Sequence, residues 1–488
     1  MVEMVTNQMT TSTLSRRAFL GATAAGSASF LLGQTARKPN ILFFAVDDLR
    51  PELGCYGKTY IKSPNIDRIA KSGMVFRRAY CQQAVCSPSR TSLLTGTRPD
   101  TSKVWDLVTH FRDAIPNVVT LPQHFKKNGY FVQGMGKIFH PGYDDEPSWS
   151  TPWKTPKAET YANLKTAEVK DEDAAPKNKT KGGPAFESGD VADNFYKDGM
   201  VADMAVETIK GLSKKAPFFL AVGFAKPHLP FVSPKQYWDM YNPAQIELAP
   251  NPYHPKDAPE YALTNSNELR NYTNMPAEGP ISDKLARQLK HGYYAAVSYT
   301  DAQIGKVRNE LERSGLSKNT IIVLWGDHGW KLGEHGEWCK HSNVENDTNA
   351  PLLLSAPGMK GAGKQSNALV EFVDIYPTLA ELAGLPLPAH LEGSSFKPLL
   401  DSPDRPWKAA AFSQYPRRKL MGYSMRTDRY RMTVWVDRQD HTKVDATELY
   451  DHRTDPQENT NIANVAANKE VVRRLMEQWK KGWQGAKL

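Results

Sequence analysis

Four apolar runs of strand length constrain this chain more than any other feature. Ile41-Leu42-Phe43-Phe44-Ala45-Val46, Pro217-Phe218-Phe219-Leu220-Ala221-Val222-Gly223-Phe224 and Thr320-Ile321-Ile322-Val323-Leu324-Trp325 are continuous, and Tyr130-Phe131-Val132-Gln133 is a weaker fourth. Runs without polar alternation suit strands buried on both faces, as in a parallel or mixed sheet between helices. Helical patterns lie between them. Ile66, Ile69 and Ala70 precede Gly73; Thr120 caps a segment with Leu121 and Phe125 on one face, Pro122 in its first turn and Gly129 past its end. Residues 293–311 and 376–383 also read as helices. Strands alternating with helices predict an α/β fold, a mixed sheet sandwiched by helices. Residues 421–436 alternate aromatic, basic and β-branched types, predicting a smaller C-terminal antiparallel sheet, followed by a helix over 469–483. Residues 144–199 read as a long polar loop insertion and 386–406 as a Pro-rich linker.

With 488 residues, 40% hydrophobic and 24% charged, the chain has an ordinary globular balance. Its mean hydropathy of -0.55 argues against a polytopic membrane protein. The net charge of +9 permits an acidic partner, but no compact Lys/Arg block or zinc-finger spacing appears, which argues against nucleic acid. Four cysteines (Cys55, Cys81, Cys86 and Cys339) allow at most one or two bridges and leave room for a chemical one. Ser15-Arg16-Arg17-Ala18-Phe19-Leu20 and the small apolar run after it read as a twin-arginine export signal, too short for a membrane span. The expected organisation is signal 1–37, catalytic domain 38–385, then linker and C-terminal α+β subdomain 386–488. The expected location is periplasmic or extracellular, without stable membrane insertion.

Each apolar run ends in ionisable residues: Asp47-Asp48, Lys137 and His140, Lys226-Pro227-His228, and Asp327-His328 with Lys340 beyond. In an open α/β sheet, ligands bind beyond the carboxyl ends of the strands, so these clusters should meet at one edge. Asp47, Asp48 and Asp327 are hard oxygen donors suited to Ca²⁺ or Mg²⁺. A divalent cation ringed by Lys137, His140, His228 and Lys340 suits a sulfate or a phosphate. Each residue alone has a plain reading, as a solvated lysine or a helix cap; their shared placement carries the functional one.

Cys86-Ser87-Pro88-Ser89-Arg90 opens a segment of helical appearance. Cys86 is either a thiolate nucleophile, activated by a helix N-terminus and Arg90, or a buried structural cysteine. The stretch Cys86-Ser87-Pro88-Ser89-Arg90 with Leu94-Thr95-Gly96 resembles the signature of type I, formylglycine-dependent sulfatases. Asp47-Asp48-Leu49-Arg50, Gly136-Lys137-Ile138-Phe139-His140, Lys226-Pro227-His228 and Asp327-His328-Gly329-Trp330 through Lys340 resemble that family's iduronate-2-sulfatase branch.

The resemblance implies an alkaline-phosphatase-like fold and hydrolysis of a sulfate ester on a sulfated sugar. It implies oxidation of Cys86 to formylglycine by a formylglycine-generating or anaerobic sulfatase-maturating enzyme. It places calcium on Asp47, Asp48, Asp327, His328 and the modified Cys86. Arg90 should orient the formylglycine hydrate; Lys137, His140, His228 and Lys340 should contact sulfate and move protons. Two other readings stand beside it: a phosphate or phosphonate ester hydrolase of the same superfamily, and a catalytically silent binder of sulfated glycans. Arg417, Arg418 and Arg426 are expected to meet a uronate carboxylate.

Overall fold

The computed structural model describes residues 37–163, 183–212, 216–264 and 266–487. The expected export signal lies outside them except for Arg37. Residues 39–488 form one compact unit.

The apolar runs become strands of a seven-stranded sheet. Its strands are β1 (Asn40–Val46), β2 (Met74–Tyr80), β3 (Phe131–Gly136), β4 (Phe218–Phe224), β5 (Thr320–Gly326), β6 (Leu352–Ser355) and β7 (Gln365–Glu371). Their order is β7-β2-β6-β5-β1-β4-β3. β1 pairs in parallel with β4 and β5, β3 with β4, and β7 with β2, while β6 runs antiparallel to both its neighbours. The sheet is therefore mixed, with one strand reversed.

Alternate residues of β1 serve two cores. Leu42, Phe44 and Val46 join α1 (Pro64–Ser72), α4 (Lys197–Gly211) and the 31-residue α5 (Asp283–Arg313) on one face. Ile41, Phe43 and Ala45 join α2 (Cys86–Thr95), α3 (Leu121–Lys127) and α6 (Ile375–Leu382) on the other. This two-sided burial is why β1, β4 and β5 lack polar alternation. Thr120 caps α3 as expected, in a reciprocal capping box with Gln123.

The C-terminal sheet is antiparallel and four-stranded: β8 (Ala410–Arg417), β9 (Leu420–Thr427), β10 (Tyr430–Asp437) and β11 (Val444–Asp451). Met425, Met432, Val434 and Leu449 form its own small core with Leu475 of α7 (Lys469–Lys480).

Two sequence expectations need correction. Within 144–199, Phe186–Gly189 is a strand paired in parallel with Phe231–Pro234, and α4 begins at Lys197; residues 164–182 lie outside the described residues. Polar composition hid these elements because each buries only one narrow side. The Pro-rich segment 386–406 does not hang free. Phe396, Leu399 and Leu400 are buried in the main core, and the Glu392 N–H bonds to the Gly96 carbonyl.

Candidate active site

Strand direction assembles the site. β1, β2, β3, β4 and β5 all point their carboxyl ends the same way and deliver Asp47-Asp48, Cys86, Lys137, Lys226 to His228, and Asp327-His328 to one edge. At the β3–β4 end the backbones nearly touch. Gly136 (φ +68°) faces Gly223, and a Cβ on Gly223 would lie 2.2 Å from the Lys137 carbonyl oxygen. Only glycine fits such an approach, and it brings Lys137 over the end of β1.

Cys86 is the first residue of α2, as the Pro88 register predicts. Its Sγ lies 3.4 Å from Asp47 Oδ1, 3.4 Å from His328 Nε2 and 3.7 Å from Lys137 Nζ. Burial and the Asp47 carboxylate push the Cys86 thiol well above the ordinary thiol range. Lys137 and Lys340 act the other way on the thiol.

Arg90 is fully buried and braces the floor. Its Nε donates to Asp327 Oδ2 at 2.9 Å and Nη2 to Asp47 Oδ1 at 3.2 Å; Nη1 donates to the carbonyls of Lys137 and Ile138 at 2.5 and 3.0 Å. Lys137 pairs with Asp47, which raises the Lys137 pKa against the cost of burial. Lys340 spans Asp48 at 3.1 Å and Glu268 at 2.9 Å.

At this edge two overlapping groups of donor atoms can hold a metal ion; among the described residues a third such group, Glu345, His452 and Glu458, lies by the C-terminal sheet. Asp47, Cys86, Asp327 and His328 each place a ligand atom within 4.8 Å of the others, and so do Asp47, Asp48, Cys86 and His228. The donors fit a cation for a further reason. His328 Nδ1 sits 2.9 Å from the Gly329 carbonyl, which only accepts. In the neutral ring Nδ1 therefore carries the proton and Nε2 turns its lone pair on the carboxylates, 3.4 Å from Asp48 Oδ1. Burial first, then the adjacent Asp47 and Glu268 charges, push Asp48 up to about 7 despite Lys340.

Beside this cluster opens a pocket of about 200 Å³ walled by Lys137, His140, Trp153, Lys226 and His228. Burial and Lys137 push His140 down to about 4, and its Nδ1 has no hydrogen-bond partner among the described residues. His228 places Nδ1 2.6 Å from the Leu229 carbonyl and Nε2 3.1 Å from Glu268. Both ring nitrogens thus face acceptors; burial and Lys340 lower the His228 pKa, while Glu268 is held well below the usual carboxylate range. Trp153 donates to the Gly136 carbonyl and shows the pocket an aromatic wall.

All ten residues expected from sequence meet at this edge. Sequence reasoning missed Glu268, the carboxylate between Lys340, His228 and His341. It lies on a single turn, Asn267–Arg270, in a polar stretch without periodicity, so no pattern marks it. Two of the three arginines expected to read a uronate are already bonded inside the protein. Arg417 donates to the carbonyls of Tyr261, Ala262 and His341, and Arg426 pairs with Glu345 and His452; Arg418 is exposed at the β8–β9 turn. All four cysteines are free.

Comparison with known proteins agrees with this geometry. The sulfatase family profile matches residues 39–385, and a second profile, the C-terminal region of N-sulphoglucosamine sulphohydrolase, matches 333–484. The mouse iduronate 2-sulfatase is 37% identical over 87% of this chain and 91% of its own length. Among solved structures, a protein bound to its substrate D-glucosamine-2-N,6-O-disulfate has a TM-score of 0.74 at 24% identity, covering 92% of this chain and 98% of its own. The phosphonate monoester hydrolase of Agrobacterium radiobacter has a TM-score of 0.72 at 22% identity, covering 91% and 95%; at these identities both speak for the fold alone. The chain belongs to the sulfatase family: it is a type I sulfatase similar to iduronate 2-sulfatase, and a sulfuric ester hydrolase.

Proposed function

We propose that the chain removes sulfate from an acidic sulfated saccharide of the iduronate type, using a formylglycine made from Cys86 and a calcium ion held by Asp47, Asp48, Asp327, His328 and residue 86. The observation that carries this reading is the convergence of Cys86 and three strand-end carboxylates on one spot, with Lys137 and Lys340 beside it.

Charge counting supports it. Asp47, Asp48, Asp327 and Glu268 supply four negative charges, and Arg90, Lys137 and Lys340 three positive ones. A divalent cation turns the deficit into one positive charge, which a monoanionic sulfate ester neutralises.

The ion would supply Lewis acidity at a sulfuryl oxygen, and the formylglycine hydrate a pair of hydroxyls, one to attack sulfur and one to let sulfate leave afterwards. The chain's own residues do the remaining work. Lys137 and Lys340 stand where charge grows on the sulfuryl oxygens. His228, oriented by Glu268 through Nε2, passes a proton to the departing sugar oxygen. His140, neutral in its buried position, lends its free Nδ1 to orient the ester. Arg90 acts through Asp47 and Asp327 by fixing their positions. The iduronate assignment rests on the likeness to iduronate 2-sulfatase and on the adjoining pocket, where Lys137, His140 and the Trp153 ring suit an acidic sugar. Export by the twin-arginine route, suggested by Arg16-Arg17, would carry the chain out folded and already converted.

The test has two readouts. Peptide mass spectrometry of protein from a converting host should show residue 86 as the aldehyde, and inorganic sulfate should appear when a sulfated uronate disaccharide is supplied. An unmodified thiol in fully active enzyme overturns the formylglycine reading. The A. radiobacter likeness makes phosphonate esters the comparison substrate; faster turnover of nitrophenyl phosphonate than of nitrophenyl sulfate overturns the sulfatase preference.

A further inference from the structure

A second cavity, of about 540 Å³, shares none of its lining residues with the catalytic pocket. Its walls come from the segment after β1, from 240–251 and from the first half of α5. Arg50 closes one side, held by two bonds to Glu334 at 2.8 and 3.2 Å and a longer contact with Glu52 at 3.4 Å. Arg50 thus serves two carboxylates, and Glu52 Oε2 is left without a hydrogen-bond partner among the described residues.

Lys290 touches none of these carboxylates. It lines the cavity, is only 6% exposed, and makes no hydrogen bond or ion pair with any described residue. Its stem is covered while its ammonium opens onto the cavity, where an anionic group from outside the chain would pair with it. Glu52, Glu334 and Glu247 act on it through space without reaching it, and burial lowers its pKa. Around it the lining offers what a saccharide needs. Tyr60 and Tyr294 form an aromatic corner with ring centroids 5.5 Å apart. Tyr60 is 43% exposed, a large ring face left in water. The side-chain amides of Gln245 and Gln457 also line the cavity and have no side-chain partner among the described residues. An aromatic face, free amides and one ammonium without a contact partner match a hydroxyl-rich ring bearing a single acidic group.

We propose that this cavity is a second glycan-binding site, separate from the catalytic pocket, that holds an acidic saccharide unit with its carboxylate or sulfate on Lys290. The existence of the site rests on the cavity and the unpartnered ammonium; only the choice of a saccharide leans on the sulfatase reading.

Calorimetry tests it with the full-length Cys86→Ala chain and three hexasaccharide probes: heparin-derived, hyaluronan and neutral maltohexaose. The hyaluronan arm separates carboxylate from sulfate. The heparin probe should bind at two sites per chain. Lys290→Met should remove one of them, weaken it at least tenfold and leave the thermal midpoint unchanged or raised, because no contact with a carboxylate is lost. Tyr60→Ala, a surface change, should weaken the same site severalfold. In the converted enzyme, Lys290→Met should raise KM for a long sulfated chain while leaving kcat/KM for nitrophenyl sulfate intact. One site per chain, unchanged affinity in both variants, or equally tight maltohexaose overturns the proposal. Equal losses on the long and the small substrate overturn it too, since they mark a purely structural lysine. Binding is read without turnover, so an inactive enzyme would refute the sulfatase mechanism and leave this site standing.

Discussion

Two buried ionic clusters in this protein have opposite characters. Under the C-terminal sheet, Arg431 donates to Glu458 at 2.5 Å, to Glu345 at 2.5 Å and to the Ser424 hydroxyl at 3.0 Å. His452 and Arg426 complete that group, and the second oxygen of Glu458 accepts the Glu345 N–H at 2.8 Å. Two arginines meet two glutamates, and every carboxylate oxygen is used. At the catalytic edge four carboxylates face three cations, and His140 keeps a free nitrogen. Both clusters are buried, yet only the second has capacity left over. A balanced cluster fixes structure; an unbalanced one is completed by something from outside.

The comparison breaks or sharpens under substitution. Cys86→Ala should reduce turnover at least about 10⁴-fold, as removal of a nucleophile does, with an unchanged circular dichroism spectrum; residual turnover within tenfold of wild type would remove Cys86 from the chemistry. Lys340→Met should lower kcat/KM by about 10²–10³-fold, the usual size for a group that stabilises developing charge. Arg431→Met makes the opposite demand. It leaves Glu345 to Arg426 and the buried Glu458 to His452, and should cost about 3 kcal/mol in denaturant unfolding, with kcat per folded molecule intact. If Arg431→Met spared stability and cut kcat, the contrast between the clusters would fail.

Removing divalent cations with a chelator should lower the unfolding midpoint. At a hundredfold excess of ion over its dissociation constant the lost stabilisation is about 2.7 kcal/mol. Arg431→Met chains should show the same chelator shift, because their vacancy lies in the other cluster.

The pH dependence tests the same ion pairs without any substitution. Although burial alone would raise them, Arg431 and Arg426 hold Glu345 down to about 2, and Arg50 holds Glu334 down to about 2. Groups depressed in the folded state stabilise above their unfolded pKa and lose that contribution as pH falls through the folded one. Denaturant midpoints should therefore decline from roughly pH 4.5 toward pH 2, by up to about 1.4 kcal/mol per pH unit for each proton taken up. A flat profile across that window would mean that these ion pairs contribute nothing.

The extent to which the sequence foretold this arrangement differs by residue. β1, β4 and β5 were legible because a strand buried on both faces has no polar alternation to confuse it. The positions of Asp47, Lys137, His228 and Asp327 followed, since each sits one to four residues past a strand whose direction the fold class dictates. The capping pattern at Thr120 is local chemistry and was equally readable. The strand Phe186–Gly189 was not: it is four residues long and pairs with a segment more than forty residues away.

What the chain determined by itself is thus the set of reactive residue types and their common edge, because strand hydrophobicity, parallel direction and the Cys86-to-Arg90 signature are all local properties. What only the tertiary structure decided is how charges pair. It set Glu268 between His228 and Lys340, committed Arg417 and Arg426 to internal bonds, and left Lys290 facing an open cavity without a partner. Pairing depends on burial and on contacts between residues far apart in the chain, and neither is written in any short stretch of sequence.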